Sequence, residues 1–214
     1  MNYIVLDTET TNGFDNPICY DVGWAILNED FEIIETRSFV VADIFLEEKF
    51  LMSEAFFADK IPQYWADIKN GTRELKTFKN IRKALREDCK NFEVGAIVAH
   101  NAPFDYRSCT TTQRWLTSSK YRYFFPFGVE IWDSLKMARQ TFGKSEEYKQ
   151  FCIENDFCIS GSRPRLTAEI LFRYLSKDLT FEESHTGLED VLIEAQIFKA
   201  CLEMNADIER KAWA

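Results

Sequence analysis

Five side chains spread along the sequence have the types and neighbours for phosphodiester chemistry: Asp7 with Glu9, then Asp105, then His185 with Asp190. Asp7 and Glu9 flank Thr8 after an apolar run, residues 3–6, that reads as a buried strand. Alternate strand residues point the same way, so both carboxylates face one side. Held so close, they repel each other unless a cation lies between them. Oxygen ligands of this kind suit Mg²⁺ or Mn²⁺. Alone, the pair more often marks two solvated acids at an exposed strand end.

Asp105 closes the run His100-Asn101-Ala102-Pro103-Phe104-Asp105. It falls in the first turn of a helix opened by Pro103, where the helix dipole favours an acid anyway. In the functional reading it is a third metal carboxylate. Asn101 either hydrogen-bonds substrate or satisfies the loop backbone. His185 stands just before a helix whose first turns carry Asp190. An imidazole with an ordinary pKa of about 6.5 suits a general base at neutral pH. Asp21, Asp133 and Glu194 also lie near these motifs and are assigned surface, hydrogen-bonding or supporting roles.

These residues need a sheet to gather them. Residues 19–27 and 31–41 read as two strands joined through Asn28-Glu29-Asp30, which with the first strand makes an antiparallel meander. Residues 43–70 are less regular and partly helical. Within 73–92, Leu75, Phe78, Ile81, Leu85, Cys89 and Phe92 recur at three- and four-residue steps, the stripe of an amphipathic helix. A buried strand is expected at 94–99 and a short one at 129–132. Helices are expected at 134–142, at 166–175 and along the stripe from Leu188 to Leu202. Residues 143–164 read as a variable excursion. Strands then alternating helices and strands imply an α/β domain over 1–214, a mixed five-stranded sheet with helices on both faces.

The net charge of −9 argues against a protein that coats DNA nonspecifically, but not against a nuclease whose acids hold cations. The charge is uneven. Residues 107–149 hold eight basic and four acidic residues, whereas 178–214 hold nine acidic and three basic ones. The first stretch, with Arg107, Arg114, Lys120 and Arg122, is the better phosphate-tracking face. The six cysteines form no metal-binding spacing and read as reduced thiols. With no long apolar run and no basic leader, a cytoplasmic protein is expected.

The runs Asp7-Thr8-Glu9-Thr10-Thr11 and Val98-Ala99-His100-Asn101-Ala102-Pro103-Phe104-Asp105, and His185 spaced from Asp190, together resemble the three motifs of the DEDDh (DnaQ-like) 3′–5′ exonucleases. The resemblance spans residues 3 to 203. Trp132-Asp133-Ser134-Leu135 is similar to the family's segment between the second and third motifs. It implies a ribonuclease H-like fold and two Mg²⁺ or Mn²⁺ ions. Asp7, Glu9 and Asp190 would hold one ion; Asp7 would bridge to the second, near Asp105. His185 would be the general base. Substrate contacts are expected from Thr8, Thr10, Asn101, Phe14 and Arg107. The chain departs from the family where Asn12 precedes Gly13.

The implied activity is 3′–5′ hydrolysis of single-stranded DNA or frayed DNA 3′ ends, releasing nucleoside 5′-monophosphates. Alternatives are an RNA exonuclease of the oligoribonuclease or ribonuclease T type, an endonuclease of the same fold, and a non-catalytic nucleic-acid-binding subunit. A polymerase partner or a homodimer has no support in the sequence.

Overall fold

A computed structural model describes residues 1–11, 15–120 and 123–213. Asn12, Gly13 and Phe14, together with Arg122, lie outside the described residues.

Among those residues the main sheet has six strands: β1 (Asn2–Thr11), β2 (Ile18–Leu27), β3 (Ile33–Val41), β4 (Glu74–Lys76), β5 (Val94–Ala99) and β6 (Glu130–Asp133). Their order is β4-β3-β2-β1-β5-β6. β1, β2 and β3 form the expected antiparallel meander. The turn between β2 and β3 is closed by the Asn28 side-chain oxygen, which accepts from the backbone N–H groups of Asp30 (3.0 Å) and Glu32 (2.9 Å). β5 and β6 add in parallel beside β1.

The sixth strand is β4, which pairs in parallel with β3. The apolar stripe had suggested one helix through 73–92. Instead Leu75 lies opposite Val40 in the sheet, and the helix starts after Thr77, whose side chain caps it.

The helices are α1 (Ala42–Phe45), α2 (Lys49–Ser53), α3 (Ile61–Asn70), α4 (Phe78–Asn91), α5 (Ala102–Leu116), α6 (Ser134–Gln140), α7 (Glu146–Glu154), α8 (Ala168–Ser176) and α9 (Gly187–Met204). The excursion at 143–164 resolves into α7 and a small hairpin, β7 (Cys158–Ile159) and β8 (Arg163–Pro164). None of the described helices is long and apolar enough to cross a membrane.

The sheet separates two cores. Ile4, Leu6 and Val22 pack with Phe78, Ile81 and Leu85 of α4 and Cys109 of α5. Val5, Ala25 and Val98 pack with Met137 of α6, Leu171 of α8 and Val191 and Phe198 of α9. Strand alternation therefore sends Asp7 and Glu9 towards α9 and Thr8 towards α5.

β1 runs past the acids rather than ending before them. Its antiparallel register with β2 extends from Tyr3↔Leu27 to Thr11↔Ile18, shifted by a bulge between Glu9 and Thr10. Its parallel pairing with β5 stops at Val5↔Val98. Beyond Val5 the two strands part. That gap at the carboxyl ends of parallel strands is where open α/β sheets place their ligand sites.

Candidate active site

A cleft of about 790 Å³ opens at this gap. Asp7, Thr8 and Glu9 form its floor, with His100, Asn101, Glu183, His185, Asp190 and Glu194 around it. Ligand atoms of Glu9, His185 and Asp190 lie within 4.8 Å of one another. A second group, Glu169, Glu183 and His185, meets the same criterion.

The lock that sets α9 against the sheet begins at Asp21. Its carboxylate accepts from Tyr64 Oη (2.7 Å), Arg73 Nη1 (3.1 Å) and the backbone N–H of Gly187 (3.0 Å). Arg73 also reaches Asp67 at 3.1 Å and Glu189 at 2.6 Å. Gly23 lets α9 approach: a Cβ there would lie 2.4 Å from the Leu188 nitrogen. Asp190 is fixed in turn, accepting from Thr186 N–H at 3.0 Å and Ser184 Oγ at 3.2 Å. His185 adopts a left-handed backbone with φ of 52°, and its ring stacks on Phe57 at 4.2 Å between centroids.

Asp105 sits behind the floor rather than on the cleft wall. It accepts from Thr8 Oγ1 at 2.8 Å and is 3 % exposed. Its charge still acts on Asp7. Asn101 lines the cleft with a left-handed backbone, φ 79°, held by its N–H donation to Asp133 at 3.1 Å. Asp133 also caps α6 through the Leu135 N–H at 3.0 Å. Thr10 pairs with Cys19 in the meander and is not among the described cleft residues. Arg107 is exposed on α5 over the Phe104 ring, and Arg114 and Lys120 are exposed too; none of these three is on the described cleft wall. The cations on that wall are Arg139 and Arg163.

The electrostatics of the cleft are those of crowded acids. Burial first, then the carboxylates of Glu194, Asp105, Glu9 and Asp190, push Asp7 well above the usual range. Burial, then Asp190, pushes Glu9 up to about 9. Burial pushes Asp105 up to about 7 against the hydrogen bond from Thr8, and Asp190 up to about 7 against those from Ser184 and Thr186. Glu183 is pushed up to about 8 by burial and then Asp190. Burial, then Lys60, lowers the pKa of His185.

Glu194 received only a supporting role from the sequence. It is 4 % exposed, its Oε2 has no hydrogen-bond partner, and it exerts the largest charge effect on Asp7. Its position four residues after Asp190 on one helix face was the available signal. Glu183, Phe57 and Arg163 carried no such signal, since only the fold brings them to the cleft. So many buried acids around one unpartnered oxygen fit a divalent-cation site.

No protein-family model and no curated protein sequence matches the chain. Solved structures do resemble it. A 3′-exonuclease from a study of 3′-end-specific recognition of the histone mRNA stem-loop aligns with TM-score 0.63 at 14 % identity, over 98 % of this chain and 66 % of that one. Exonuclease I from Methylocaldum szegediense aligns with TM-score 0.56 at 17 % identity, over 96 % of this chain and 41 % of that one. E. coli exonuclease I in complex with a dA16 oligonucleotide gives 0.52 at 12 % identity, over 96 % and 41 %. The fold is ribonuclease H-like. At such identities the likeness establishes the shared ribonuclease H-like fold alone, and the chain spans at most about two thirds of the length of these exonucleases.

Proposed function

We propose that this chain is a divalent-metal-dependent 3′–5′ exonuclease of the DEDDh type. The observation that carries the reading is the meeting of Glu9, His185 and Asp190 within 4.8 Å at the strand gap, beside Asp7. Support comes from the crowding of acids, which is relieved if cations neutralise them, and from the fold shared with solved exonucleases.

In this reading Asp7, Glu9 and Asp190 hold Mg²⁺ or Mn²⁺, with Asp105 and Glu194 adding negative charge behind them. Two such ions would supply Lewis-acid stabilisation of the attacking and leaving oxygens. The imidazole nitrogen of His185 facing Glu9 and Asp190 takes the proton of the attacking water, and Phe57 fixes the ring plane for that transfer. Arg139 and Arg163 bind phosphates of the incoming strand, and Asn101 orients its terminal nucleotide.

Single-stranded DNA is the preferred substrate of this reading. RNA is the second reading, favoured by the likeness to the exonuclease solved for recognition of an mRNA stem-loop. Calorimetry with Mn²⁺ on wild type and Asp7→Asn, together with product analysis, tests the proposal. Mn²⁺ binding that Asp7→Asn weakens, and release of nucleoside 5′-monophosphates, are expected. Full hydrolysis after exhaustive metal removal would sink it.

A further inference from the structure

A second cavity, of about 420 Å³, lies outside the edge strand β6, remote in composition from the acidic cleft. Its wall is aromatic: Tyr106, Tyr123, Phe125, Phe127 and Trp213, with Arg86 at the rim. The tail carrying Trp213 runs along β6, where Ala212 N–H donates to the Ile131 carbonyl at 2.9 Å and Trp132 bridges Lys211. Tyr106 and Phe125 stack nearly parallel, 5.2 Å apart and 8° from coplanar, and Trp213 meets Tyr106 edge-on at 4.8 Å. At the mouth the rings face solvent, with Phe127 fully exposed and Tyr123 66 % exposed.

Arg86 belongs to a line of cations. Lys79, Arg82, Lys83, Arg86 and Lys90 recur at three- and four-residue steps on α4 and share one face, opposite Ile81 and Leu85. From Lys79 to Lys90 this face extends about 16 Å. Lys83 is paired with Glu87 at 3.5 Å, and Asp88 is committed to Arg37. Among the described residues Lys79, Arg82, Arg86 and Lys90 have no carboxylate partner. Arg82 Nε is buried with no hydrogen-bond partner, and burial and then the neighbouring Arg86 hold this guanidinium below its usual pKa. Like charges left unpaired beside a buried N–H donor favour an anion.

We propose that this pocket stacks a base of a single-stranded nucleic acid whose phosphates run along the basic face of α4. Exposed flat rings beside a line of unpaired cations match a strand that carries a π-face and an anion at every repeat. A peptide would need acids spaced along the same line as well as an aromatic or apolar anchor. The site gives a long substrate a second hold on a chain whose net charge of −9 offers no global attraction. Its identification with nucleic acid rests on the exonuclease reading of the cleft, but its binding requires neither metal nor cleavage.

The test titrates 5′-labelled DNA and RNA strands of about 30 nucleotides, long enough for several stacking repeats, by fluorescence anisotropy. Wild type, Phe127→Ala and the double variant Arg86→Glu/Lys90→Glu are compared in EDTA, where the acidic cleft lacks cations, and in Ca²⁺. All three positions are exposed, so the variants keep the fold, and thermal unfolding checks this. Wild type is expected to bind in EDTA. Phe127→Ala should weaken that binding about tenfold, and the double variant should also flatten the salt slope by roughly 0.7 per lost phosphate contact. Equal affinity of the three proteins in both buffers would overturn the proposal and leave the pocket to a protein partner. Lost binding in the variants, alongside a wild type that cleaves no strand, would keep the pocket and defeat the reading of the cleft.

Discussion

His100 and His185 both face the cleft, yet their surroundings give them different work. His100 is tied at both nitrogens, to Ser134 Oγ at 3.0 Å and to the Leu166 carbonyl at 2.7 Å, and burial lowers its pKa. His185 is 38 % exposed at its side chain, and among the described residues Glu183 alone lies within 4.0 Å as a charged partner. His185→Ala is therefore expected to lose about 10²–10⁴-fold in kcat, with unfolding temperature nearly unchanged. His100→Ala should instead cost about 1–3 kcal/mol of stability by orphaning its partners; equal kcat losses in two folded variants would contradict this division. Glu194→Gln removes the largest charge acting on Asp7, so calorimetry should show weaker Mn²⁺ binding with the fold intact. That Asp7 with Glu9 and His185 with Asp190 lie close to each other could be read from the sequence, because each pair sits within one short run of residues. Arg163 and Phe57 could not, because their place at the cleft follows from a hairpin and a loop with no periodic pattern.

At the scale of elements, the site depends on how closely α9 packs on β2. Gly23→Ala would put a methyl group against the Leu188 backbone, and α9 must move away. That shift should destabilise the fold by about 1–3 kcal/mol and separate Asp190 from Glu9, lowering Mn²⁺ affinity. Arg73→Met leaves the buried Asp21 carboxylate without its cation and should cost about 3–5 kcal/mol in denaturant unfolding. A variant as stable as wild type would show that the Tyr64 and Gly187 hydrogen bonds suffice. The meander, the strand at 94–99 and the last helix were legible in the sequence because their apolar periods are uninterrupted. β4 was not: at three residues it is too short to show alternation, and Leu75 and Phe78 continue a helical step across the break. The lock of Asp21 to Arg73 was equally hidden, since 52 positions separate the partners.

For the whole molecule, the raised carboxylates fix how metal-free stability responds to pH. Unfolded, these groups titrate at about 4. Folded, Asp105 and Asp190 stand at about 7, Glu183 at about 8 and Glu9 at about 9. Across that window the folded state binds more protons than the unfolded one, so stability falls as pH rises. In EDTA the unfolding temperature should drop steadily from about pH 5 to pH 9. Mg²⁺ or Mn²⁺ should flatten that slope, stabilising most at the alkaline end where the ligands are deprotonated. A metal-free protein whose stability rose over this range would mean that the acids are not crowded in solution.

The most direct test of the central claim is digestion of a 5′-labelled single strand with a free or a blocked 3′ end, in Mg²⁺ or Mn²⁺ and in EDTA. The account predicts progressive shortening from the free 3′ end, none from the blocked end and none in EDTA. Internal cuts in the blocked strand, or shortening that persists in EDTA, would contradict it.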